Sequence, residues 1–264
     1  MIREKITEIY DTYQIAQYGR HMQSQRISDC RQNGIDPYVQ APGEAEYISF
    51  WKELLGKDVE PFSFRLFSRY AGPHPYILPT PADHYLVERY MNPTRYRSCY
   101  SDKNLYCQFF KGLCPDTILA RIDGSALLDG EYSPVEKFRK EISSISAREL
   151  SGYLAPYDKV CLKPSIDTDS GRGVEFFGKN PDGVFMNKDG VLLDGCKLTE
   201  YSQNFVIQKV LEQHPFFAQF NKTSVNTLRI FTYRSVISEE VKVTATVLRI
   251  GQPGESVDNA HAGG

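Results

Sequence analysis

Residues 159–177, Lys-Val-Cys-Leu-Lys-Pro-Ser-Ile-Asp-Thr-Asp-Ser-Gly-Arg-Gly-Val-Glu-Phe-Phe, join charge, hydroxyls and glycine in an order suited to phosphate. A short apolar strand ends on Lys163, Pro164 breaks it, and a loop bearing Ser165, Thr168 and Ser170 closes on Gly171-Arg172-Gly173 before a second apolar strand. Unhindered backbone N–H groups make good anion donors, and Lys163 and Arg172 add positive charge. Asp167 and Asp169 are awkward beside a phosphate and are expected to face solvent. The loop is not a P-loop, since G-x-x-x-x-G-K-[ST] is absent. It is not a dinucleotide fingerprint either, since a third glycine and a following helix are both missing.

Later strands carry further cations. Side chains alternate along a strand, so Cys161 and Lys163 share one face and Val160 and Leu162 the other. In Phe205–Leu211, Val206, Gln208 and Val210 alternate with Ile207, Lys209 and Leu211. Thr227, Arg229 and Phe231 oppose Leu228 and Ile230, and Arg249 follows Val243, Ala245 and Val247 on one face. Lys163, Lys209, Arg229 and Arg249 on successive strands of one sheet would form a shared basic cleft. The competing reading is a set of strand-end charges reaching solvent along their apolar stems.

The elements that position these residues follow from periodicity and breakers. Residues 1–34 read as a helix, with Ile2, Ile6, Ile9, Tyr10 and Tyr13 as its buried face. A second helix spans Glu44 to Leu55 and stops at Gly56. Pro73, Pro75, Pro79 and Pro81 prevent one long helix over 58–92, and a shorter helix fits Pro81 to Met91. His74 and His84 lack a companion at ligand spacing. A short helix runs to Phe110 with a stop at Gly112, and a strand covers 115–122. Ser133 with Glu136 resembles a capping box for a helix through Phe138 and Ile142, and another helix covers Ser146 to Tyr153. Strands follow at 183–186 and 191–193 around an Asp189-Gly190 turn, then at 205–211, 225–234 and 241–250. The helical and mixed first half gives way near residue 145 to antiparallel strands, an α+β pattern.

Composition bounds the function. The 264 residues carry a net charge of -2, with 41% hydrophobic and 24% charged residues. That balance disfavours a general nucleic-acid or membrane-surface binder, and no apolar run reaches the roughly 18 residues of a membrane span. The N-terminus runs into charge without an apolar core, so no signal peptide is evident. The six scattered cysteines form no C-x-x-C pair, which argues against zinc and for reduced thiols in the cytoplasm.

Strand, Lys-Pro, glycine loop and strand, followed by a hairpin and a strand carrying Gln208-Lys209, resembles the ATP-grasp superfamily. The tail is more specific. Ser224-Val225-Asn226-Thr227-Leu228-Arg229-Ile230, and Val247-Leu248-Arg249-Ile250-Gly251 through Val257-Asp258-Asn259-Ala260-His261-Ala262-Gly263-Gly264, resemble the sugar-transfer-associated ATP-grasp family. Its members are often found with capsule and exopolysaccharide genes, and some are labelled hexapeptide transferases. Asp102-Lys103-Asn104 and Pro115-Asp116-Thr117 fit its pre-ATP region, and the resemblance covers about residues 58–264.

The resemblance implies an N-terminal helical region at 1–57, a pre-ATP-grasp-like region at 58–144 and an incomplete ATP-grasp domain at 145–264. It implies ATP-dependent ligation of a small-molecule carboxylate to an amine or other acceptor, with no nucleic-acid partner and no membrane insertion. Lys103 and Lys163 would contact phosphates and adenine, and Ser170, Gly171, Arg172 and Gly173 would fold over the triphosphate. Gln208, Lys209 and the Val210 backbone would line the adenine edge. Glu212 would take the ribose, with His214 close enough to compete. The catalytic candidates are Arg229, at the γ-phosphate or acyl-phosphate, and Arg249. Arg249 would lie on the acceptor side with the substrate-binding candidates Asn226, Asn259 and His261; His261 alternatively caps the glycine turn after it.

One departure bears on activity. The family holds Mg2+ with an Asp or Glu and then a Glu-x-Asn motif on late strands, and the sequence ends at Gly264 before such a segment. Asp258 alone does not replace two metal ligands. The expectation is a truncated chain that binds ATP weakly or not at all. The alternatives are a non-catalytic scaffold or interaction protein on the same frame, and a glycan-modifying transferase using a nucleotide sugar.

Overall fold

The computed structural model describes residues 2–79, 91–92, 97–166, 168, 171–254 and 258. The helix expected from Pro81 lies outside them apart from Met91. The chain forms two compact units, Met1–Arg97 and Ser98–Gly264.

In the first unit α1 spans Ile2–Gln32. Its apolar N-terminal stripe is not the buried face: Ile6, Ile9, Tyr10 and Tyr13 are all exposed. Burial falls instead on Ala16, Gly19, Gln23 and Cys30, at spacings of three, four and seven. Small side chains permit that closer packing, and a pattern search for large apolar residues passes over them. The second helix, α2 (Glu44–Leu55), matches its expected bounds, and Gly56 ends it in the left-handed region with its N–H on Lys52 O. A third, α3 (Phe62–Ala71), was hidden in the proline-rich stretch. Phe64 of α3 stacks on Tyr47 of α2 at 4.7 Å. Arg65 grips Glu44 with both Nε and Nη2, at 2.8 and 2.6 Å.

A short helix, α4 (Arg97–Ser101), precedes α5 (Lys103–Phe109). The second unit is built on a five-stranded antiparallel sheet: β1 (Thr117–Arg121), β2 (Lys159–Pro164), β3 (Glu175–Lys179), β4 (Phe185–Met186) and β5 (Phe205–Lys209), in the order β1-β5-β2-β3-β4. One face carries Leu119, Val160, Leu162, Phe177, Phe205 and Ile207 into a core shared with Phe138, Leu150, Leu154 and Leu198. Two helices supply that cover, α6 (Ala147–Tyr153) and α7 (Gly195–Thr199). The mixture of helix and antiparallel sheet is α+β.

Two local expectations are corrected. Ser133 does not open a helix, and only 3-10 turns form at Glu136–Phe138 and Ile142–Ser144. The segment is drawn into strand-like pairing, with Val135 N–H on Leu127 O and Leu128 bridged to Pro134. The capping box forms one element later, where Ser146 accepts from Glu149 N–H and the Glu149 carboxylate accepts from Ser146 N–H. The cations also do not share one sheet. After a short turn, α8 (Pro215–Ala218), strands β6 (Thr227–Arg234) and β7 (Val241–Arg249) form a separate two-stranded sheet. A bulge between Phe231 and Thr232 shifts its register, so Val243 pairs with Thr232 and leaves the face of Ala245 and Val247.

Candidate functional site

The sheet of the second unit has a second, polar face. Register places Cys161 opposite Gln208 and Phe176, and Lys163 opposite Val206, so these side chains point the same way. Lys209 pairs with Val160 and takes the opposite face, where it is exposed. Lys163 and Lys209 therefore do not converge. The pairing of Lys163 with Val206 could not be read from either strand alone.

Helix α5 lies against this polar face. Lys103, its first residue, donates its backbone N–H to Ser165 O at 2.8 Å. The Lys103 ammonium reaches Thr168 Oγ1 at 2.9 Å and Thr168 O at 3.3 Å. Lys103 thus ties the helix to the root of the flap between β2 and β3. The flap's two ends touch: Gly173 has φ 69°, and a Cβ there would sit 2.9 Å from Pro164 Cγ. Glycine is required at that position twice over, by backbone conformation and by close approach. Gly171 is also left-handed, and Val174 N–H closes the turn on its carbonyl. Ser170 lies outside the described residues.

Gln208 is the best-anchored side chain of the site. It is 1% exposed, and its Nε2 donates to Cys107 Sγ and Pro115 O, both at 3.1 Å, with Thr117 Oγ1 at 3.5 Å. Those acceptors fix which way the amide faces. Among the described residues its Oε1 is buried without a partner, as are Asn104 Oδ1 and Ser165 Oγ. A buried polar atom left unpaired costs about 1–3 kcal/mol, so three around one polar face mark where donors from outside the chain would be welcome. Among the described residues the Lys163 ammonium also has no hydrogen-bond or ion-pair partner. It is close enough to favour the thiolates of Cys107 and Cys161, although burial pushes both thiols up.

Beyond β5, Glu212 and His214 are both exposed, and His214 accepts Phe216 N–H on Nδ1 and caps α8. Val210, half-buried, directly follows Lys209, whose N–H binds Asp116 O at 3.0 Å. On the hairpin, Arg229 pairs with Val247 and Arg249 with Thr227, which puts both arginines on one face. Arg249 is held by Asp258, through the backbone carbonyl at 2.9 Å and the carboxylate at 3.4 Å. Thr227 Oγ1 also donates to the Asp258 carboxylate. Asn226 is placed in the interior: it is 3% exposed, and its Nδ2 donates to Phe217 O and Asn221 O, both at 2.9 Å. Its Oδ1 accepts from Gly251 N–H at 3.3 Å. Asn259 and His261 lie outside the described residues.

A cluster missed by sequence reasoning fixes the returning strand. Glu175 accepts from Tyr201 OH and Lys197 Nζ, each at 2.7 Å, and from Asn187 Nδ2 at 3.0 Å. Burial alone would raise the Glu175 carboxyl, but these donors outweigh it and hold it below the ordinary carboxylate range. The sequence signal was only a Glu placed two residues after Gly173. The Glu175 contribution is complete above the unfolded carboxyl value of about 4.3 and is lost as pH falls through the lower folded value. Glu175→Ala, which leaves Lys197 its Glu200 partner, is expected to cost about 2 kcal/mol near neutral pH. Urea melts at pH 7 and pH 3 check this: the gap between variant and wild type should shrink at the lower pH.

A cavity of about 510 Å³ opens at the C-terminal end of α5, lined by Cys107, Lys111, Cys114, Asp116, Thr117 and Tyr132 among others. Among the described residues, no group of three or more His, Cys, Asp or Glu side chains gathers to hold a divalent cation. No described helix is long and apolar enough to cross a membrane.

A family model described as sugar-transfer associated ATP-grasp matches residues 85–264. No curated protein and no solved structure matches the chain.

Proposed function

The chain belongs to the sugar-transfer-associated ATP-grasp family, and on that premise we propose that it binds ATP against the polar face of the five-stranded sheet and uses it to activate a carboxylate. The observation that carries this reading is the unpartnered Lys163 ammonium on a face with three buried, unpartnered oxygens. Lys163 meets phosphate oxygens as a point charge. Gln208 Oε1, which can only accept, suits an exocyclic amine on the base. Phe176, opposite Cys161 and 40% exposed, offers an aromatic surface beside them. Ammonium, amide acceptor and ring together fit a purine nucleotide.

In the proposed reaction a substrate carboxylate oxygen attacks the γ-phosphorus and the bond to the ADP oxygen breaks. The resulting acyl phosphate is displaced by an amine or another nucleophile, and inorganic phosphate leaves. Arg229, exposed and on the same hairpin face as Arg249, is suited to the transferred phosphoryl group. Arg249 is pre-set by Asp258, so it loses little freedom on meeting an anionic acceptor. Participation in capsule or exopolysaccharide assembly, with a glycan-linked acceptor, belongs to this proposal.

Isothermal titration with ATP tests it, comparing wild type, Lys163→Ala and Lys209→Ala. Loss of the Lys163 charge is expected to weaken binding at least tenfold, about 1.4 kcal/mol. Lys209→Ala, on the other face, should bind as wild type does. Equal affinity in the two variants, or no binding by wild type, overturns the reading.

A further inference from the structure

Cys107 and Cys114 come together through one side chain. Cys107 Sγ and the carbonyl of Pro115, the residue next to Cys114, both lie 3.1 Å from Gln208 Nε2. Gly112, at φ 84°, reverses the chain after α5 and brings Cys114 back beside the helix. Both cysteines line the same cavity, Cys107 buried and Cys114 half-buried. The Cys107 thiol is pushed up chiefly by burial, and Cys114 lies close enough to add to that rise. Both are free thiols.

We propose that Cys107 and Cys114 form a reversible intramolecular disulfide that releases the Gln208 amide from its anchor. The inference rests on the nucleotide reading for its consequence, though not for its chemistry. A small-molecule disulfide, such as oxidised glutathione, supplies the oxidising equivalents. The Cys114 thiolate, the more accessible of the two, attacks one sulfur of the reagent and expels one glutathione thiolate. The Cys107 thiolate then attacks the Cys114 sulfur of the mixed disulfide and expels the second. Two protein thiols become one disulfide, two glutathione thiols are formed, and the two protons pass to the departing thiolates.

A sulfur–sulfur bond of about 2 Å requires Cys114 and the adjoining Pro115 carbonyl to move against Cys107. Gln208 Nε2 then loses the paired arrangement of sulfur and carbonyl that fixes its orientation. The same movement pulls on Asp116, whose carbonyl accepts Lys209 N–H. The strand end expected to meet the base is thereby loosened, and nucleotide affinity falls.

Trypsin makes the link easy to read, since cleavage at Lys103, Lys111 and Arg121 puts Cys107 and Cys114 on separate peptides. The full chain is equilibrated with oxidised glutathione, alkylated and digested without reductant, alongside Cys114→Ser and Cys161→Ser. A disulfide joining peptides 104–111 and 112–121 is expected in wild type and Cys161→Ser, and not in Cys114→Ser. ATP titration of the oxidised wild type should show at least a fivefold loss of affinity that dithiothreitol reverses, while Cys114→Ser responds to neither reagent. No such peptide link, a link made instead to Cys161, or a link that leaves affinity unchanged overturns the proposal. If the reduced protein does not bind ATP, the nucleotide reading and the effect on affinity both fail, and the peptide link decides the disulfide by itself.

Discussion

Gly195→Ala is expected to destabilise the second unit more than any other single-methyl change. A Cβ at residue 195 would sit 1.8 Å from Ile142 O and 2.9 Å from Ile142 C, both backbone atoms. No rotamer change relieves that clash. Gly195 N–H also donates to Ile145 O at 2.8 Å, so backing away to fit the methyl breaks a buried hydrogen bond. Gly195 opens α7, which packs on the 3-10 turn at Ile142–Ser144 and carries Leu198 into the core. Overpacking typically costs about 1–3 kcal/mol, and the lost bond adds about 1 kcal/mol, which together come to about 2–4 kcal/mol. Thermal melting should show a Tm lowered by about 10 °C; a Tm within about 2 °C of wild type would mean that the turn yields freely.

Asn226→Ala should likewise show its effect in stability rather than in substrate affinity alone. The side chain joins Phe217 O, Asn221 O and Gly251 N–H, and Ser224 Oγ reaches its oxygen at 3.4 Å. Asn221 extends the knot by donating to Gly251 O at 2.7 Å and Gln252 O at 2.9 Å. Alanine takes this partner from Asn221 O and Gly251 N–H, while Phe217 O keeps Phe220 N–H. At about 1 kcal/mol or more for each of the two, the expected loss is about 2 kcal/mol. Denaturant melts read it directly. Wild-type stability with a raised substrate KM would assign Asn226 to the acceptor site instead.

These two residues mark where the sequence was legible. Asn226 belongs to the tail segment that points to the family, yet a motif residue can be kept for folding as readily as for binding, and only its partners tell the two apart. Helix α2 was readable to both ends because periodicity, the Pro42-Gly43 start and a terminal glycine agree. Strands β2, β5, β6 and β7 were readable from their apolar alternation. The burial of α1 was not, because Ala16 and Gly19 bury by being small. The second sheet escaped notice because pairing between strands is non-local, and nothing within β5 or β6 says that they belong to different ladders. Gln208 was legible as a site candidate, but its anchor was not: Cys107 lies 101 residues away in sequence.

The β6–β7 hairpin has a consequence for how the protein unfolds. All eight residues of β6 and all but Arg249 in β7 are exposed, including Ile230, Phe231 and Val243. Its ladder gains backbone hydrogen bonds but almost no burial, and a lone two-stranded ribbon is at best marginal in water. The five-stranded sheet, whose central strands are buried, holds the apolar free energy of the second unit. The hairpin is therefore expected to open more readily than the sheet, so the face bearing Arg229 and Arg249 should exchange its amide hydrogens ahead of the Lys163 face.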